Sequence, residues 1–244
     1  QEMYAQDYDV MLVNLVEPAS AAGVLTDAKD ADIPVILFNR EIDEKDLKIS
    51  KNVWYVGTDA RAAGVMQGKL LKDLWKKQSR ILDWNGNGML DYVLVEGEES
   101  HFDAIRRTSG FLETGAELPL NQKGNILAEW KRELAYEKFA ALDDEAVQNV
   151  EAVICNNDDM ALGVYDYYKE KNLKLPVIIG INNSEEMHQK IMSGEMYGTI
   201  DNKMEDQVME ICRLMQAILK KDTGSYQKVW YSTPKAIVKA EGTE

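Results

Sequence analysis

Short apolar runs alternate with amphipathic stretches along most of the chain. Residues 10–16 (VMLVNLV), 34–40 (PVILFNR), 52–58 (NVWYVGT), 92–98 (YVLVEGE), 124–130 (GNILAEW), 152–158 (AVICNND), 176–182 (PVIIGIN) and 197–202 (YGTIDN) are each rich in β-branched or other apolar residues. Between them, residues 21–31, 61–75, 158–171 and 204–219 place apolar side chains at three- and four-residue steps, the period of an amphipathic helix. Buried strands alternating with helices predict an α/β protein whose parallel sheets are covered on both faces. The opening residues QEMYAQ fit the interior of a helix and lack an initiating Met. The expectation is therefore a natural chain that starts earlier.

Composition narrows the classes. At 244 residues and 45% hydrophobic content, the chain can bury one large core or two smaller α/β lobes. Its net charge of -14, from 42 acidic against 28 basic residues, repels phosphate backbones and anionic lipid surfaces. Nucleic acid is excluded as an expected partner. No apolar run approaches the roughly 18 residues of a membrane span, and no secretory leader pattern is present. The two cysteines, Cys155 in AVIC and Cys212 in a helical stretch, signal neither a disulfide framework nor a zinc site. Both are expected to be buried thiols.

Several strands end in polar residues: Asn39, His101 with Asp103, Asn157, Asn182 and Asn202. Ligands of open parallel sheets bind beyond the carboxyl ends of strands, so this placement points to a binding site. Helix capping and turns explain any one of these residues alone. They do not explain a His, an Arg and a Trp beside them.

Residues 83–91 (DWNGNGMLD) carry oxygen side chains at positions 1, 3, 5 and 9 of an EF-hand-like loop, supplied by Asp83, Asn85, Asn87 and Asp91. Gly88 falls at position 6, where the turn is sharp, and Met89 at position 7 would offer its backbone carbonyl. Position 12 is Leu94 rather than a bidentate Glu, so a final carboxylate must come from elsewhere. The simpler alternative is a polar β-turn.

The segments NLVEPASAAGVL, PVILFNREI, YVGTDARAAGVMQG, the loop followed by YVLVEGE, SHFDAIRR and AVICNNDDMALG together resemble the periplasmic glucose/galactose-binding proteins. These are receptors for ABC-type sugar uptake and, in some bacteria, for chemotaxis. The likeness covers nearly the whole chain. It implies two doubly wound parallel-sheet lobes of the type I periplasmic binding protein fold, joined by a three-crossover hinge. Residues 1–57 and 203–231 would form the N-terminal lobe, and 58–202 and 232–244 the C-terminal one. The family's first strand, helix and strand have no counterpart here, so the N-terminal lobe would be incomplete and sugar affinity severely weakened if that piece is truly absent.

The resemblance also implies the ligands. A hexose, galactose or glucose, would lie in the cleft between lobes against Asn39, His101, Asp103, Arg107, Asn157, Asn182 and Asn202, with Trp130 over its apolar face. These groups suit hydroxyls that both donate and accept. Glu151 matches the remote carboxylate that completes the family's calcium site with Asp83, Asn85, Asn87, Met89 and Asp91. Where the family usually has Asp, this chain has Asn182. The implied partners are the membrane permease of an ABC transporter and, in chemotactic organisms, a chemoreceptor. The implied location is extracytoplasmic, periplasmic or lipid-anchored, and the implied state is a monomer once the N-terminal piece is present. The alternatives are the sugar-sensing core of a transcription repressor, a truncated interaction domain that binds no sugar, and an enzyme using His101 and Asp103. The first would lack the calcium loop, and the last lacks any accompanying phosphate loop or nucleophile elbow.

Overall fold

The computed structural model describes residues 8–15, 17–142 and 147–239. The expected helical start, QEMYAQ at residues 1–6, lies outside them, as does Val16. The elements run β1 (Met11–Val13), α1 (Ala21–Asp30), β2 (Val35–Phe38), β3 (Val53–Thr58), α2 (Ala60–Leu82), β4 (Leu90–Glu96), α3 (Phe102–Gly115), β5 (Leu120–Leu127), α4 (Arg132–Ala140), β6 (Ala152–Cys155), α5 (Asp158–Glu170), β7 (Val177–Ile181), α6 (Glu185–Ser193), β8 (Gly198–Asp201), α7 (Met204–Leu219), β9 (Val229–Ser232) and β10 (Lys235–Val238).

Two compact units result. The first holds the residues up to Asp59, His101–Asp103 and Lys203–Thr233, and the second holds Ala60–Ser100, Ala104–Asn202 and the residues from Pro234 on. The first unit is built on a parallel sheet of order β1-β2-β3-β9. Strand alternation sorts its side chains to two faces. Met11, Val35 and Leu37 meet Leu25 and Ala28 of α1 on one face, whereas Ile36, Trp54 and Val56 meet Leu214 and Ile218 of α7 on the other.

The second unit is built on a sheet of order β10-β8-β7-β6-β4-β5, parallel except for β10, which runs antiparallel to β8. This edge departs from the expectation of wholly parallel sheets. β10 follows β9 of the other sheet after only Thr233 and Pro234, so it joins this edge directly from a strand rather than through a β–α–β unit. Val93, Val95, Val153 and Cys155 pack beneath α4 and α5, and Tyr92, Leu94, Ala152 and Ile154 pack beneath α2 and α3. Both faces are covered, as the continuous apolar runs require.

Two features fix the helices beneath the strand tips. A Cβ on Gly64 would overlap the Arg107 carbonyl, and one on Gly110 would overlap that of Arg61, so α2 and α3 approach backbone to backbone. The buried Gln67 of α2 donates through Nε2 to the carbonyls of Cys155, Ile179 and Gly180 at 2.9, 3.2 and 3.2 Å. It thereby satisfies acceptors where β6 and β7 end, which would otherwise be buried unpaired.

Two expectations need correction. The run at 124–130 does not continue as a strand to Trp130. Strand β5 stops at Leu127, and Glu129 and Trp130 take left-handed backbone conformations with φ of 49° and 67°. Cys155 is buried, but Cys212 is exposed. The apolar arc of α7 is wider than the part its sheet covers. Among the described residues, no helix is long and apolar enough to cross a membrane.

Candidate ligand and calcium sites

The residues expected to hold a ligand sit at the carboxyl ends of strands or at the helix starts that follow. Asn39 directly follows β2, is exposed, and has φ of 65°. Asn is among the residues that tolerate this region. Its carbonyl accepts the Tyr55 hydroxyl at 3.0 Å. His101 and Asp103 are both buried at the start of α3, where the Asp103 backbone N–H donates to His101 Nδ1 at 3.1 Å. That bond caps the helix with an imidazole. It also places the proton of a neutral ring on Nε2.

Arg107, Trp130 and Asn157 come together in the second unit. Arg107 is buried on α3, donates from Nη1 to the Asn156 carbonyl at 2.6 Å, and holds its guanidinium 5.5 Å from the Trp130 ring centre. Trp130 is half-buried, and its indole lies against Gly97, where any Cβ would collide with the ring. Asn157 is buried at the start of α5. Its Oδ1 accepts from the Met160 N–H at 3.0 Å and its Nδ2 donates to the Trp130 carbonyl at 3.1 Å. The capping reading of Asn157 is therefore right, and the same amide also ties down the tryptophan. Two of its four hydrogen-bonding positions are left for other partners.

Asn182 and Asn202 form a second pair, with Asn202 Nδ2 donating to Asn182 Oδ1 at 2.9 Å. Asn202 is buried at the end of β8, while Asn182 is exposed after β7 with φ of 131°. A carboxylate at position 182 could accept the same bond, so the Asn found there keeps the acceptor and adds a donor.

Sequence reasoning missed the residues that hold this cluster in place. Asn156 accepts the Gly97 N–H at 3.2 Å and donates to Thr108 at 3.2 Å, and Thr108 donates to Glu96 at 2.6 Å. Asp158 accepts Thr199 Oγ1 at 2.5 Å and the Ser184 N–H at 2.7 Å. Burial raises its pKa above the usual carboxylate range. The NND run was the only signal. It does not say which Asn turns inward.

The loop at 83–91 closes on Glu151. Glu151 is fully buried just before β6, and its Oε2 accepts the Asp91 N–H at 2.9 Å while Oε1 accepts the Asn85 N–H at 3.3 Å. Burial raises its pKa, partly offset by the backbone bonds from Asp91, Asn85 and Trp84. Gly86 and Gly88 have φ of 71° and 77°, which explains both glycines. Asp83 Oδ2 accepts the Gly88 N–H at 3.0 Å, and Asp83 Oδ1 is buried without a hydrogen-bond partner.

Asp91 is surrounded by donors. Its Oδ2 accepts Asn85 Nδ2 at 2.9 Å and Asn87 Nδ2 at 3.2 Å, its Oδ1 accepts Asn121 Nδ2 at 2.6 Å, and Lys123 Nζ is 3.9 Å away. Met89 donates its N–H to Asn87 Oδ1 at 2.7 Å. Among the described residues, no three His, Cys, Asp or Glu side chains converge as metal ligands. The loop's oxygens are instead committed to one another's N–H groups. The orphaned Asp83 oxygen and the buried Glu151 charge are the two features that a cation would relieve. Asn121 and Lys123, both on β5, gave no signal in the sequence.

Residues 1–223 match the family model described as a periplasmic binding protein domain. The D-galactose/methyl-galactoside binding periplasmic protein of Haemophilus influenzae is 32% identical over 228 residues, covering 90% of this chain and 67% of that protein. The galactofuranose-binding protein of Escherichia coli is 29% identical, covering 81% of this chain and 60% of its own length. The chain thus spans about two thirds or less of the relatives it matches. An ABC transporter periplasmic solute binding protein from Actinobacillus succinogenes with bound D-allose superposes with a TM-score of 0.83 at 21% identity, over 98% of this chain and 81% of its own. That likeness carries the fold. These relatives are solute-binding proteins, not enzymes.

Proposed function

Because the chain belongs to the family of periplasmic binding protein domains, we propose that it is an extracytoplasmic receptor that binds a hexose, galactose or glucose, and delivers it to the permease of an ABC transporter. The observation that carries this reading is the cluster of Arg107, Trp130 and Asn157 at the strand tips of the second unit. A half-buried indole offers an apolar face to the C–H side of a pyranose. The guanidinium beside it donates through Nη1 to the Asn156 carbonyl, and a guanidinium presents its N–H donors in a fixed planar fork of the kind that suits ring hydroxyls. Asn39, His101, Asp103, Asn182 and Asn202 would complete the hydroxyl partners. A chemoreceptor is a further partner for the sugar-loaded form.

The same reading includes a structural calcium ion. Asp83, Asp91 and Glu151 would supply the carboxylates, and Asn85, Asn87 and the Met89 carbonyl the neutral oxygens, a donor set that suits calcium better than magnesium. Turning the Asn85 and Asn87 amides over would present oxygen where nitrogen now faces Asp91. The ion would join β4, β6 and the loop, so it would contribute stability rather than touch the sugar.

Calorimetric titration of galactose and glucose tests the receptor reading. Saturable heat with one hexose, lost in Trp130→Ala, is the expected result. Absence of heat with either sugar from a folded protein that contains all the chain its gene encodes would overturn it. The calcium reading is tested separately by melting in calcium and in chelator. An unchanged transition would end it.

A further inference from the structure

Lys123 is the extra residue of a bulge. In the parallel ladder between β4 and β5, Asp91 pairs with Asn121 and Tyr92 with Gln122, but Val93 pairs with Gly124, so Lys123 has no partner across the ladder. Bulges are rare in parallel pairs, and one of their uses is to re-aim a side chain. Here Asn121 reaches Asp91 Oδ1 at 2.6 Å, and the Lys123 ammonium stands 3.9 Å from Asp91 Oδ2. The lysine side chain is 34% exposed, whereas that of Asp91 is 2% exposed.

Asp91 Oδ2 is the oxygen that meets the loop at 83–91. Asn85 Nδ2 and Asn87 Nδ2 donate to it, so with Lys123 three nitrogens converge on one carboxylate oxygen, and one of them is charged. A buried carboxylate needs such compensation. The other two carboxylates here accept backbone N–H groups: Asp83 from Gly88, and Glu151 from Asp91 and Asn85. Lys174 is also close, but its ammonium lies 3.7 Å over the Trp84 ring. Among the described residues, Lys123 is the one cation paired with a carboxylate of this cluster.

We infer that Lys123 is the loop's built-in counter-cation, which balances Asp91 in the absence of calcium and has to release it when calcium binds. The inference rests on the calcium part of the reading above. An ammonium and a divalent ion on one carboxylate repel each other, so Asp91 serves one of them at a time. The partly exposed stem of Lys123 lets its head turn away to water. Asn85 and Asn87 follow the same exchange. Their amides now donate to Asp91 beside the ammonium, and turned over they would offer oxygen once it has left. The loop thus keeps its charge balance in a medium poor in calcium. Its affinity for the ion is lower in consequence, since calcium affinity follows the charge count of the site.

Lys123→Gln and Lys123→Arg test this exchange. Calcium affinity is measured by calorimetric titration, and melting is followed in excess chelator. Lys123→Gln should bind calcium about tenfold more tightly and melt at a lower temperature in chelator. Lys123→Arg keeps the charge and should stay near wild type in both. A lysine that merely supports the strand would lower stability with and without calcium and leave the affinity alone. Unchanged or weaker binding by Lys123→Gln, when the wild type binds the ion, would overturn the inference and leave the calcium site standing. If millimolar calcium binds to neither protein, both readings fall. Binding by Lys123→Gln alone would uphold the inference, with the ammonium as permanent occupant, and end the calcium reading for the unaltered chain.

Discussion

The two units apply one architecture to different degrees of completion. In the second, six strands are covered on both faces, and the edge at β10 is a short antiparallel strand. In the first, four strands carry α1 and α7, but β1 and one flank of α7 face outward with apolar residues. The residues of the incomplete sheet are no less suited to burial: Ile36, Val35 and Leu25 are as fully buried as Val153 or Phe139. What differs is the number of neighbours available. An α/β sheet is stable by closure, and local patterning alone does not provide it.

Several measurements can sharpen or break that contrast. The largest effects belong to the cores. Phe139 is fully buried and packs 5.5 and 5.6 Å from the Tyr168 and Tyr167 rings. Phe139→Ala should cost about 3–5 kcal/mol, and Leu25→Ala in the first unit about 2–5 kcal/mol. Calorimetry should show two transitions, with Leu25→Ala moving the lower and Phe139→Ala the upper. One transition moved equally by both would mean the units do not differ in stability.

Next in size is the calcium response. An ion at 100 times its dissociation constant would contribute about 2.7 kcal/mol, and Glu151→Gln should abolish most of it. Without metal the sign reverses. Burial raises the Glu151 pKa, so the folded state holds its proton more tightly than the unfolded state does. Its contribution is then most favourable below the ordinary carboxylate pKa and is lost as pH rises through the raised value. Glu151→Gln should therefore stabilise the metal-free protein at pH 7 and have little effect under acid conditions. Denaturant midpoints at both pH values check this.

Smaller effects follow at the candidate sugar site. Gly97→Ala should weaken hexose binding about tenfold, equivalent to ~1.4 kcal/mol, because its new methyl displaces the Trp130 ring. Binding at wild-type strength would show that the indole position does not matter. Smallest of all is Lys174→Ala. This removes an ammonium 3.7 Å from the Trp84 ring centre and should lower the melting stability of the calcium-loop region by about 0.5–1 kcal/mol.

Much of the fold was legible because its strands are continuous apolar runs and its helices keep a clear period. Strands β9 and β10 were not, since KVWYS and KAIV are short, partly charged and separated by Pro234. The loop at 83–91 could be read from its spacing, and Gly88 takes the positive φ that its position suggests, whereas the positive φ of Gly86 had no such signal. Glu151 came only through family resemblance, because 60 residues of chain separate it from the Asp91 N–H it accepts. Gly97, Asn121 and Asn156 act through contacts that only the folded sheet creates. Cys212 misled for a related reason: an apolar helical period marks what can be buried, not what is.

Asn157 has a consequence for how variants should be chosen. One amide starts α5 and also tethers the loop that bears Trp130. A substitution there would disturb helix, loop and ring together, and a lost titration signal could be assigned to none of them. Asn39 and Asn182 are exposed at separate strand ends but both carry positive φ, so under the proposed function the replacements that can be read there are those that tolerate that backbone, Asn to Asp or Gly.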